Sequence, residues 1–174
     1  MKNIRKTKLS YIINIPLIKD EAELIFGEIN KHIPFEVKRF YVISKVDRGA
    51  IRGLHAHRNL QQVLFCIQGK VKFILDNGDV REEIVLDKSN EGIFIDKWMW
   101  REMAEFSEDA VLVIMASDYY SESDYIRDYK QFLNEVEIRK HRISIRYLTS
   151  LQFTLKDVIL NSLNYINVIK SKYI

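Results

Sequence analysis

Arg52-Gly53-Leu54-His55-Ala56-His57 carries two of the chain's four histidines one residue apart, and the apolar run Val63-Leu64-Phe65-Cys66-Ile67 follows it closely. Side chains at i and i+2 of a strand share a face, so His55 and His57 are expected to point together into one cavity. Arg48, Arg52 and Arg58 flank them. Imidazoles gathered with cations on one concave face suit a metal site, or a base in an anion-binding pocket. This stretch alone leaves both open, together with a third reading in which the pair is merely two satisfied core or surface histidines.

On either side the chain reads as short strands. Upstream, residues 36–46 alternate Val37, Arg39, Tyr41 and Ile43 with Lys38, Phe40, Val42 and Ser44, a strand expected to be partly covered on both faces. Residues 10–18, rich in Ile, suit an edge or exchanged strand, and 22–29 a short one with a bulge at Gly27. Downstream, strands are expected over 61–67, 71–75, 80–86, 92–95, 98–103 and 110–116. Asp76-Asn77-Gly78-Asp79 is the best hairpin turn, because Asn-Gly adopts positive φ at little cost. Many short strands without intervening helices predict a mainly β, antiparallel sandwich or barrel.

The pattern changes at Ser121. That residue is a candidate N-cap, with Glu122 and Asp124 in the first turn of a helix expected to run toward residue 140. Leu151, Leu155, Val158, Ile159, Leu163 and Ile166 then fall at helical spacing within 151–169. They predict an amphipathic helix that covers the barrel or a partner subunit; few cations on its polar face argue against a membrane surface. The expected organisation is a barrel over residues 1–133 and a helical extension over 134–174.

Composition narrows the function. The 174 residues are 47% hydrophobic and 29% charged, with a net charge of +3 spread along the chain, too mild and dispersed for a dedicated nucleic-acid binder. The single cysteine, Cys66, sits in an apolar run and permits no internal disulfide, which fits a cytoplasmic setting. The basic start resembles a signal peptide only loosely, since Asn14 and Pro16 break the apolar stretch, and nothing reaches the roughly 20 apolar residues of a membrane span.

Gly49-x5-His55-x-His57-x4-Gln62-x6-Gly69 resembles the first signature of the cupin superfamily, a jelly-roll β-barrel, with Gln62 where Glu is usual. The second signature normally supplies a proline, a glycine and a third histidine. Here, after its opening Gly92, the stretch to Arg101 has no proline, no second glycine and no histidine. A divalent metal wants three or four donors, one of them commonly anionic. Two imidazoles and a neutral amide fall short, and Arg101, near the expected place of the third histidine, would repel a dication. No metal is expected; the histidines are better suited to be free bases.

Three further stretches carry a closer resemblance: Ile33-Pro34-Phe35-Glu36-Val37-Lys38-Arg39-Phe40-Tyr41, Arg52 through Leu64, and Ala116 through Arg127. With Trp100-Arg101-Glu102-Met103 between them, the chain over roughly residues 10–133 resembles the bacterial dTDP-4-keto-6-deoxyglucose 3,4-ketoisomerases. That resemblance implies a cofactor-free cupin homodimer, often with exchanged N-terminal strands. It acts in biosynthesis of the 3-amino-3,6-dideoxyhexoses found in lipopolysaccharide, S-layer glycans or glycosylated metabolites. Moving a ketone from C4 to C3 removes the acidified C3 proton and reprotonates an enediol at C4, work to which a neutral imidazole is matched.

By the same resemblance His55 is the base at C3. His57 assists, by shuttling a proton between the oxygens or by reprotonating C4. Tyr41 is a candidate donor to the developing oxyanion. Arg39 and Arg52 are candidates for the diphosphate, and Gln62 for holding the histidines or the sugar. Arg101, a further candidate for substrate binding, stands where the family has a histidine beside Trp100, and Asp20-Glu21-Ala22-Glu23-Leu24 departs from an N-terminal Asp-x-x-Gly-x-Leu of some members. Two alternatives remain: a cupin 3,5-epimerase acting on a 4-keto nucleotide sugar, and a non-catalytic nucleotide-sugar-binding module.

Overall fold

Alternation sorts the strands of this chain into two facing sheets. The computed structural model describes residues 4–148; the helix expected over 151–169 lies outside them. One sheet has six strands, in the order β1 (Ile4–Lys6), β2 (Tyr11–Asn14), β10 (Glu91–Ile95), β7 (Gln62–Gln68), β12 (Val111–Ala116), β5 (Arg39–Ser44). The other has five: β13 (Tyr125–Ile126), β6 (Arg52–His57), β11 (Trp100–Ala104), β8 (Val71–Asp76), β9 (Arg81–Leu86). All their pairings are antiparallel. β3 (Leu17–Lys19) and β4 (Glu23–Ile25) form a separate hairpin. These are the antiparallel sheets that the short strands predict, in the jelly-roll form that the cupin resemblance implies.

The core explains why β7 reads as a continuous apolar run. Leu64 and Cys66 face the second sheet and pack with Phe73, Leu75, Ile93, Leu112 and Ile114. Val63 and Phe65 face the opposite way, where Ile13, Ile33, Phe35 and Phe94 cover them. A strand buried on both sides cannot alternate. The Asn77-Gly78 turn closes β8 onto β9 as expected, with Gly78 at φ +92° and its N–H donating to Asp76 Oδ1 at 2.7 Å.

Three expectations change. Residues 10–18 are not one strand: Pro16 lacks the N–H a ladder needs, and the chain turns there from β2 into β3. β5 is not covered on both faces, since Phe40 is 72% and Val42 53% exposed. The helix expected from Ser121 does not start there. A 3-10 turn, Glu122–Asp124, leads into β13, Ser121 makes no side-chain cap, and the α-helix, α1, occupies residues 129–148. The pairing of Tyr125 with His57 and of Ile126 with Ala56 outweighs the helical local signal. The chain divides into two compact units, residues 1–133 and 134–174.

Candidate active site

β6 brings the histidines to the site through a bulge. On β11, Arg101 pairs with His55 and Glu102 with Gly53, so Leu54 has no partner. Gly53 (φ +88°) and Leu54 (φ +54°) absorb the extra residue, and a Cβ on Gly53 would lie 2.7 Å from the carbonyl oxygen of Arg101. The bulge shifts the phase of the strand by one. Arg52 and His55, an odd number of residues apart, therefore line the same cleft.

That cleft, of about 460 Å³, opens between β5 and β6, with Arg39, Tyr41, Arg52, His55, Tyr125 and Arg127 in its walls. Alternation along β5 turns Arg39, Tyr41 and Ile43 inward. Arg39 lies over the rings of Tyr41 and Tyr120, at 5.3 and 5.6 Å, and its Nε is buried without a partner. Arg127 lies 4.2 Å over the ring of Tyr125 and holds Glu122 with two bonds of 2.8 and 2.9 Å. Three guanidinium groups around the cleft make a surface for an anion with several oxygens.

His55 and His57 meet edge to face, with ring centroids 4.8 Å apart. Their partners set their tautomers. His55 Nδ1–H donates to the carbonyl of Gly53 at 2.8 Å, and His57 Nδ1–H donates to Asp124 Oδ2 at 2.9 Å. Both acceptors require a proton on Nδ1, so Nε2 of each ring carries a free lone pair. Burial, and then the charge of Arg101, push the pKa of His55 down to about 4. The same two causes bring His57 down to about 2, with His55 and Arg39 adding to them. Both imidazoles are neutral at physiological pH.

The two rings are not equivalent in access. His55 lines the cleft, whereas His57 is 1% exposed and its Nε2 is buried without a partner, behind His55 and Tyr125. Asp124 is the hub of this corner. Besides His57 it accepts from the N–H of Asn59 at 2.8 Å and from the amide of Asn59 at 3.1 Å.

Gln62 and Arg101 lie deeper still. Arg101 is 2% exposed; its guanidinium donates to Gln62 Oε1 at 2.8 Å and to the carbonyls of Met99 and Asp96. Burial brings its pKa to about 10, still a cation at neutral pH. Gln62 Nε2 in turn donates to the Tyr41 hydroxyl at 2.8 Å. Burial raises the phenol above its ordinary value, which keeps it protonated. Among the described residues no group of three or more His, Cys, Asp and Glu stands together to hold a metal.

The residues singled out from the sequence thus form two layers. Arg39, Tyr41, Arg52 and His55 border the cleft, and His57, Gln62 and Arg101 support it from behind. Sequence reasoning assigned no role to Asp124, Tyr125 or Arg127, because their stretch read as a helix. The signal was present: a hydrophobic pair, Tyr125-Ile126, flanked by acids and a base, at the end of one of the resembling segments.

Comparison with known proteins identifies the family. Residues 7–137 match the family described as FdtA: WxcM-like, C-terminal. A curated relative, the TDP-4-oxo-6-deoxy-alpha-D-glucose-3,4-oxoisomerase of Aneurinibacillus thermoaerophilus, is 41% identical over 133 residues, 74% of this chain and 96% of its own. A 3,4-ketoisomerase from Helicobacter canadensis superposes with a TM-score of 0.70 at 44% identity, over 72% of this chain and 96% of its own. The ketoisomerase QdtA of Thermoanaerobacterium thermosaccharolyticum, solved as a histidine-to-asparagine variant with TDP-4-keto-6-deoxyglucose, gives 0.73 at 38% identity, over 77% and 98%. The chain belongs to the FdtA family, that of the TDP-4-keto-6-deoxyglucose 3,4-ketoisomerases.

Proposed function

We propose that this chain is a sugar 3,4-ketoisomerase that converts dTDP-4-keto-6-deoxyglucose to the corresponding 3-keto-6-deoxyhexose. The observation that carries this reading is His55: a neutral imidazole, its Nδ1–H held by the Gly53 carbonyl and its Nε2 lone pair facing a cleft walled by Arg39, Arg52 and Arg127. In the proposed reaction Nε2 of His55 takes the C3 proton, which the C4 carbonyl acidifies. The electron pair moves into an enediolate whose oxygen accepts a hydrogen bond from the Tyr41 hydroxyl. A proton then returns to C4 and the C3 hydroxyl gives up its own, leaving the ketone at C3. No external oxidant is consumed. The arginines hold the diphosphate and fix the sugar against His55. His57, fastened by Asp124, packs against His55 and is the candidate to share its proton.

The same reading includes a cytoplasmic homodimer with exchanged N-terminal strands, in biosynthesis of 3-amino-3,6-dideoxyhexoses. In the single chain β2 seats on β10, with Ile12 and Ile13 buried. A partner's strand would make the same pairs in exchange, and a second copy would cover exposed apolar groups such as Phe40, Val42 and Leu24.

Incubation with dTDP-4-keto-6-deoxyglucose in deuterated water tests the reaction. Solvent deuterium at the former ketone carbon C4 and a new 3-ketone are expected. Exchange at C5 would instead identify a 3,5-epimerase, and no exchange a binding module. His55→Asn is expected to abolish turnover, and full activity in that variant would remove His55 from the role of base.

A further inference from the structure

We propose that Gln62 is a positioning residue that aims the phenolic hydrogen of Tyr41 into the cleft, and that Arg101 holds Gln62 in the orientation this requires. The inference rests on the isomerase reading above and assigns Gln62 neither to the sugar nor to the histidines.

The direction of the chain follows from its first donor. A guanidinium has no acceptor, so the 2.8 Å contact to Arg101 obliges Gln62 to present its oxygen there. Its NH₂ group is then left facing Tyr41, to which it donates at 2.8 Å. A flipped amide would set donor against donor in a place where Gln62 is 3% and Arg101 2% exposed, beyond rescue by water. The Tyr41 oxygen therefore accepts, and its own hydrogen lies off that axis. Among the described residues no acceptor takes it, while Tyr41 borders the cleft. The donor is oriented before substrate arrives, which is the condition under which a hydrogen bond to a developing oxyanion is most effective.

A carboxylate at this position would reverse the last bond. Gln62→Glu keeps the shape, gives Arg101 an ion-pair partner, and accepts the Tyr41 hydrogen instead of donating to the oxygen. Gln62→Met removes both bonds but leaves the phenolic hydrogen free to reach the cleft. Turnover and thermal unfolding are measured for both variants, for Tyr41→Phe and for the doubles. Expected is a kcat about 100-fold below the unaltered chain for Gln62→Glu, KM little changed, with an undiminished melting temperature. Gln62→Met is expected to be the less stable and the more active of the two. Gln62→Glu in the Tyr41→Phe background should add no further loss.

A merely structural role for Gln62 predicts the reverse order, activity following stability, and that order would overturn the relay. Should Gln62→Glu fail to fold, the Gln62→Met and Tyr41→Phe pair still decides: additive losses overturn the relay and non-additive ones support it. Absence of isomerisation by the unaltered chain overturns the functional reading and the relay with it. Isomerisation by that chain with full activity in Gln62→Glu overturns the relay alone.

Discussion

A histidine is useful as a base only while it is unprotonated, and two local facts keep His55 so: burial and the cation of Arg101. The acid limb of kcat/KM is therefore expected near pH 4 rather than near the ordinary 6.5. A pH–rate profile checks this, and a limb at 6.5 would refute it. Stability moves in the same direction. Both folded histidines bind protons less readily than their unfolded counterparts, so protons accumulate on the unfolded chain as pH falls below about 6.5. Each histidine then costs about 1.4 kcal/mol per pH unit until its folded value is reached. Urea unfolding between pH 7 and 5 is expected to show this slope, reduced in His57→Asn. Asp124 governs the tautomer of His57. Asp124→Asn retains an acceptor for Asn59 but no longer selects Nδ1–H, and is expected to lower kcat about 100-fold. The ¹⁵N shifts of His57, reporting which ring nitrogen is protonated, distinguish this from simple unfolding.

The strands show which parts of the site a sequence displays and which it hides. The His-x-His spacing predicts a common face because strand period is a local property, and the structure places the two rings 4.8 Å apart. That Arg52 shares the cleft with His55 runs against the same period. It depends on the extra residue at Leu54, whose sole cue is Gly53. β13 is hidden more completely: Glu122 and Asp124 are good helix-opening residues, and only pairing with β6, 67 positions away in sequence, makes Asp124 a hydrogen-bond acceptor for His57. Long-range pairing has no local signature. The bulge itself is testable. Gly53→Ala must place a side chain at φ +88° and 2.7 Å from a backbone oxygen, and is expected to destabilise by about 1–3 kcal/mol. Because β6 would have to shift to relieve the contact, activity is expected to fall with stability, measured by denaturant melts beside turnover.

At the scale of the molecule, the proposed dimer would turn on the N-terminal strand β2, which seats on β10. Exchanged strands would make folding depend on association, so the melting temperature is expected to rise with protein concentration. Invariance over a hundredfold dilution would argue for strands kept within their own chain. The interior also carries an imbalance. Arg101 is a fully buried cation whose hydrogen bonds all end on neutral oxygens; the carboxylates of Asp96 and Asp124 act on it only through space. A fold normally places a counter-ion beside such a charge. In the proposed reaction the enediolate would form on the far side of Gln62 and Tyr41 and would supply negative charge on that side of Arg101. On that reading the buried guanidinium is a cost to the resting fold that a negatively charged intermediate would offset. A planar, anionic mimic of the enediolate should accordingly bind more tightly than the neutral ketosugar it resembles.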